Sequence, residues 1–232
     1  GRSCLLQVAP ATIASMTTPH TTPEHPRIGV VGSRGAFGRW LARFFAERMG
    51  LETLGADPAD ATSATPDELI EHCDVLVFSA PIRATPSIIR SYVAQANGRE
   101  RGQLWLDLTS IKKPSMEAML ESAAEVVGLH PMTAPPKAPT LKGRVLVVCE
   151  ARLQHWRSFV ERLCEALEGE CVGATPEQHD RIMALVQAMV HATHLTQAAV
   201  LRDSAEELGG LATLLPFRSA SFELDAAILS RI

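Results

Sequence analysis

From Arg27 onward the chain alternates short apolar runs with longer amphipathic segments, and few folds admit that alternation. The runs are RIGVVG (27–32), LETLGA (51–56), DVLVFSA (74–80), QLWLDL (103–108), EVVGLH (125–130) and RVLVVCE (144–150). Between them lie segments such as GRWLARFFAERMG, PDELIEHC, TPSIIRSYVAQA and PSMEAMLESAA, with apolar residues at helical spacing. Strand followed by helix, repeated, lays parallel strands under crossover helices. The expected architecture over 27–174 is therefore an α/β domain with a doubly wound parallel sheet.

A last helix, ARLQHWRSFVERLCEALEG, and a short strand, ECVGA, are expected to close this domain near residue 174. Thr175 then reads as an N-cap, Pro176 as the first helical residue, and Glu177 and Asp180 as acidic groups of a first turn. One long helix follows from there, and no strand pattern comes after it. Residues 175–232 thus read as the start of an all-α second domain, and because AAILSRI ends the chain inside a helical pattern, that domain is expected to be truncated. Residues 1–26 read as a disordered leader, with Met16 as the expected true start.

Composition narrows the partners. A hydrophobic share of 46% supports a real core, and a formal charge of -4 with no Lys/Arg run beyond a pair argues against nucleic acid. No segment approaches the roughly 20 apolar residues of a membrane span. Five cysteines without C-x-x-C spacing indicate neither a disulfide framework nor a zinc knuckle, so reduced thiols in a cytoplasmic protein are expected.

The first strand leads into a glycine turn, GVVGSRGAFGRW. Gly32, Ser33, Arg34 and Gly35 form the turn, and Ala36, Phe37 and Gly38 open the helix, where bare backbone N–H groups and the helix dipole can hold a pyrophosphate. In G-x-G-x-x-G register Ser33 stands at the first glycine position, Gly35 and Gly38 at the others. Tight packing alone also calls for glycines there. Asp57, about 20 residues on at the end of the second strand, is placed to accept the ribose hydroxyls of NAD, making this a Rossmann-type domain. Asp57 before Pro58 also suits a plain turn, and Arg34 in the loop keeps NADP open.

Ligands of such sheets bind beyond the carboxyl ends of the strands. Ser79, Ala80 and Pro81 follow the third run, DLTSIKKP the fourth and HPMTAPP the fifth, so Thr109, Ser110, Lys112 and His130 are expected to meet in one crevice. Each has a plainer reading: Ser and Thr cap helices, Lys113 is solvated, and a lone histidine is structural. On the long helix, His179, Gln187, His191 and His194 fall within about 120° at 100° per residue. A hydrogen-bonded domain interface explains them as readily as a site. No metal is expected, since no Cys or carboxylate ligand pattern accompanies H-x-x-H.

Five words, VGSRGAFG, DVLVFSAPI, DLTSIKKPSMEAM, GLHPMTAP and EQHDRIMALVQAMVHAT, occur in this order. With them the chain resembles the prephenate dehydrogenases, a family that includes arogenate dehydrogenases, over about residues 27–232. The resemblance implies NAD-dependent oxidative decarboxylation of prephenate to 4-hydroxyphenylpyruvate in tyrosine biosynthesis. It implies His130 as the base, with Ser110 bonded to the substrate hydroxyl or to His130. It also implies His191 and Gln187 near the substrate, Arg231 on a substrate carboxylate, and Lys112 adding positive potential. Ser79 and Pro81 join the glycine turn on the cofactor side, and a homodimer is implied for the full-length protein. Arogenate is the alternative substrate. Another hydride-transfer enzyme, such as an imine or β-hydroxyacid reductase, and a non-catalytic NAD-binding module are the rival readings.

Overall fold

The structure, a computed structural model, describes residues 22–229. Cys4, Met16, Arg231 and most of the expected leader lie outside the described residues.

Each apolar run forms a strand: β1 (Ile28–Val31), β2 (Thr53–Ala56), β3 (Val75–Phe78), β4 (Leu104–Asp107), β5 (Glu125–Pro131), β6 (Val145–Arg152) and β7 (Glu170–Gly173). They make one sheet in the order β2-β1-β3-β4-β5-β6-β7. Helices α1 (Ala36–Met49), α2 (Pro66–His72), α3 (Thr85–Ala96) and α4 (Lys113–Leu120) connect the first five strands, which run parallel. Strand order reverses between β1 and β3, so the crevice of a doubly wound sheet opens there, beyond Val31 and Phe78.

The sheet departs from the all-parallel expectation at one place. β6 pairs antiparallel with β5, and β7 runs parallel to β6. A parallel connection needs a crossover of a dozen or more residues, usually a helix. The proline-bearing stretch between β5 and β6 forms none, so the chain turns straight back. Between β6 and β7, α5 (Arg157–Leu167) supplies a crossover and the parallel relation returns. β6 also runs on to Arg152, so the helix expected from 151 begins only at Arg157.

Alternation along the strands divides the core into two layers. Ile28, Val30, Val75, Val77, Leu104, Leu106, Val127 and Leu129 meet the Trp40, Leu41, Phe44 and Phe45 face of α1 and the Phe159, Val160, Leu163 and Leu167 face of α5. Leu76, Phe78, Trp105 and Val126 point the other way, against Leu69 of α2, Ile89 and Tyr92 of α3, and Met116 and Met119 of α4. Local signals set the helix ends. At α2, Thr65 and Glu68 form a reciprocal capping box, with Pro66 opening the helix.

The expected long helix is interrupted. α6 (Pro176–Met183) gives way to a π-helical stretch over Ala184–Met189, and α7 (Val190–Glu207) resumes. Bonds from i to i+5 widen each turn, so the constant 100° advance that grouped His179 with His191 and His194 does not hold through the stretch. Two short helical turns, α8 (Leu211–Leu214) and a 3-10 segment at Leu215–Phe217, lead to α9 (Ala220–Leu229). The chain divides into two compact units between His179 and Asp180, inside α6. In the second unit Leu185, Val186, Leu195, Val200, Phe217 and Leu224 are exposed. Among the described residues no helix is long and apolar enough to cross a membrane.

Candidate functional site

The glycine turn sits at the reversal of strand order. Gly32 has φ +83°, and a Cβ added there would lie 2.5 Å from the Ser79 carbonyl oxygen. A Cβ on Gly38 would overlap the Gly32 carbonyl. The β1 turn, the start of α1 and the backbone after β3 therefore touch one another only because side chains are missing. Gly35, at the α1 N-cap, brings no side-chain cap, and the first turn carries no acidic residue. Bare N–H groups and an uncompensated dipole end at this crevice, which suits a pyrophosphate. Pro81 closes the far side, its carbonyl accepting the Ala84 N–H at 2.9 Å and the Thr85 N–H at 3.0 Å. Phe37 meets Trp40 edge to face, so its ring belongs to the packing of α1 and only its backbone remains for a ligand.

Gly32→Ala is expected to cost about 1–3 kcal/mol, because an L side chain is strained at this φ as well as crowded by Ser79. Thermal unfolding of the variant measures it. A change within a few tenths of a kcal/mol would show that the turn relaxes freely.

Asp57 stands at the end of β2 as expected. Its Oδ2 accepts the Arg34 N–H at 2.9 Å and its Oδ1 the Ala59 N–H at 2.9 Å. The Arg34 guanidinium is engaged by Asp60, with Nε 2.8 Å from Oδ2. Asp60 in turn accepts the Thr62 hydroxyl at 2.7 Å and the Thr62 N–H at 3.0 Å. These bonds from Thr62, and then Arg34, hold the Asp60 carboxyl well below the usual carboxylate range. Two carboxylates thus clasp Arg34, one at its backbone and one at its side chain.

At β4 the structure corrects an expectation. Lys112 is fully buried, its Nζ 2.8 Å from both oxygens of the equally buried Asp107 and 2.7 Å from the Leu129 carbonyl. Its charge faces Asp107 inside the domain, and it ties β4 to β5 immediately before His130. Gly128 makes the crossing possible. It is paired with Asp107 in the sheet register, and a Cβ there would lie 3.1 Å from Lys112 Cδ and 2.5 Å from Met116 Sδ. Thr109 adds a backbone N–H to Asp107 Oδ2 at 3.1 Å. Ser110 lies half-buried in the loop between β4 and α4.

His130 lies near the end of β5, two residues beyond Gly128 and so on the same face, and it is buried. Its Nδ1 lies 2.8 Å from Nε2 of His179, which is also buried. The rings meet nearly edge to face, with centroids 5.0 Å apart. In the sequence His179 is one of four polar positions on a helix, and no spacing connects it with His130. What places it is the cap: Thr175 Oγ1 accepts the Gln178 N–H at 3.1 Å and the Thr175 carbonyl accepts the His179 N–H at 2.8 Å, so α6 starts just ahead of His179. Those capping residues were legible; the partner was not.

The second unit carries the remaining expected residues. Gln187 is half-buried within the π-helical stretch, and π-helical turns recur at functional sites. His191 is exposed on α7, and His194 half-buried. Among the described residues no cluster of three or more His, Cys, Asp or Glu side chains is placed to hold a metal ion.

No family model matches the sequence. A "Probable arogenate/prephenate dehydrogenase" of Methanocaldococcus jannaschii is 24% identical over 222 residues, which are 88% of this chain and 48% of the relative. The chain thus spans about half the length of the curated relative it matches. Among solved structures, prephenate dehydrogenase from Aquifex aeolicus, in complex with hydroxyphenyl propionate and NAD+, superposes with a TM-score of 0.69 at 17% identity, covering 87% of this chain and 77% of that one. Synechocystis arogenate dehydrogenase superposes with a TM-score of 0.64 at 17% identity, covering 88% and 78%. A glycine crevice at the strand reversal, a histidine at the end of β5, a related sequence and a shared fold all lead one way: this chain resembles the arogenate/prephenate dehydrogenases.

Proposed function

We propose that this protein is an NAD-dependent oxidoreductase that oxidatively decarboxylates prephenate, with arogenate as the alternative substrate. The observation that carries the reading is the position of His130, buried near the carboxyl end of β5, the same end of the parallel strands at which the glycine turn follows β1. Gly32, Ser33, Arg34, Gly35, Ala36, Phe37 and Gly38, with Ser79 and Pro81, would hold the dinucleotide, and Asp57 its ribose. When bound, NAD supplies the hydride acceptor. His130 takes the proton of the substrate's ring hydroxyl as the C–H hydride departs, so that oxygen becomes a carbonyl. Loss of CO2 then sends the C–C electron pair into the ring, and the oxygen recovers a proton as the ring becomes aromatic. Ser110 would hydrogen-bond the hydroxyl. Gln187, His191 and Arg231 are assigned to the substrate by motif position, Arg231 to a carboxylate. The exposed apolar side chains of the second unit suit a homodimer, and the reduced cysteines a cytoplasmic setting.

Steady-state assays with prephenate and with arogenate, each with NAD and NADP, test the reading. NADH formation with either substrate supports it. NAD binding without turnover of either would favour the non-catalytic module, and reduction of an imine instead would favour the reductase.

NAD is expected to bind more tightly than NADP, because Asp57 repels a 2'-phosphate and Asp60 occupies the guanidinium that could receive one. Calorimetry with both dinucleotides measures this, and equal or tighter NADP binding would overturn the assignment. Asp60→Ala, which releases Arg34, should narrow the preference.

A further inference from the structure

The contact between His130 and His179 has two possible protonation patterns. A hydrogen bond between neutral imidazoles uses one N–H and one bare nitrogen. In the first pattern His130 Nδ1–H donates to His179 Nε2, which leaves His130 Nε2 with its lone pair. In the second, His179 Nε2–H donates to His130 Nδ1, and His130 carries its own proton at Nε2. Only the first leaves His130 able to accept a proton. A histidine free in water prefers the Nε2–H form, so the useful tautomer has to be imposed by a partner at Nδ1.

The structure assigns that task to His179: it is a positioning residue whose Nε2 accepts the Nδ1–H of His130 and thereby aims the basic Nε2 of His130 at the substrate. This inference rests on the proposed function for its chemistry, and on four observations for its geometry. The nitrogens are 2.8 Å apart. Both rings are buried, at 3% and 1% exposure, so water competes poorly for the bond. The nearly perpendicular rings, at 72°, are crossed rather than stacked. His179 is held in the capped first turns of α6 by the Thr175 bonds, a rigid support.

The arrangement also serves the charged state. When the substrate O–H bond breaks and its proton forms a bond to His130 Nε2, the ring becomes imidazolium and Nδ1–H stays where it is. The bond to His179 is then charge-assisted and stronger, with no atom having to move. Stabilisation is larger after proton transfer than before it, as catalysis requires.

Nitrogen-15 NMR of the histidine side chains tests this without relying on turnover, with His130 assigned from its loss in His130→Asn. The wild-type protein should show His130 as the Nδ1–H tautomer. His179→Ala should release it to the Nε2–H form and lower kcat about 10- to 100-fold with little change in KM, the usual effect of removing a group that orients a functional histidine. His179→Gln, whose amide oxygen can accept the same N–H, should restore the tautomer and most of the turnover. Wild-type His130 in the Nε2–H form would overturn the inference. So would a glutamine variant that restores neither signal nor rate, which would make His179 a packing residue. If neither prephenate nor arogenate is turned over but the NMR pattern holds, the proposed function falls and the positioning role stands. Turnover with the opposite tautomer would leave the proposed function standing and remove the positioning role.

Discussion

His130→Asn is expected to lower kcat by about 10²–10⁴-fold while leaving NAD affinity nearly unchanged. Asparagine keeps a short polar side chain at the end of β5, and its amide can still meet His179, so the fold should survive. What it lacks is a nitrogen that takes a proton near neutral pH. The glycine crevice lies at the β1–β3 reversal, two strands away from β5 in the sheet, which is why dinucleotide binding should not follow the loss of rate. Steady-state kinetics with the preferred substrate, paired with calorimetry for NAD, measures both effects. A variant retaining most of its turnover would remove His130 from the role of base.

Lys112→Ala is expected to destabilise the first unit by about 3–5 kcal/mol, the cost of leaving one member of a buried ion pair alone. Asp107 would be left without its cationic partner in a site with no exposure, and the Leu129 carbonyl would lose its donor. The effect should appear in urea unfolding as a lower midpoint with an unchanged slope. The double variant Lys112→Met, Asp107→Leu should recover much of the loss, since it removes both charges and fills their volume. Thr109 and Leu129, held through the same pair, flank the site, so turnover should suffer in the single variant even where the protein remains folded. A loss below about 1 kcal/mol would mean that water reaches Asp107 once the lysine is gone.

Much of this molecule is written locally. A strand buried on both faces needs an apolar run, a helix that covers it needs a stripe, and a helix start needs a side-chain acceptor. Each is satisfied within a few residues, so β1 to β5, the cap at Thr175 and the glycine turn could all be read from the chain. Asp57 was legible for the same reason: strand and turn place it at a fixed distance from Gly32.

The reversal at β6 was half legible. The stretch between β5 and β6 has no helical stripe, and without a crossover helix a parallel return is ruled out, but the alternation of strands and helices elsewhere concealed it. Lys112 was expected at the crevice, but its pairing was not legible. Its burial depends on Asp107 from one strand and on the missing side chain of Gly128 in the next, a combination that pairwise spacing does not reveal. Asp60 and Arg34 likewise meet across 26 positions.

The sequence by itself determined the α/β layering, the glycine crevice and the histidine at the end of β5, because periodicity, caps and turns act over short range. Tertiary structure alone decided that the lysine would be consumed in an internal ion pair and that His130 would find its partner in His179. Those two histidines are 49 residues apart. Nothing local links them: β6, α5 and β7 lie between them in the chain, and only the assembled sheet brings the start of α6 to the end of β5.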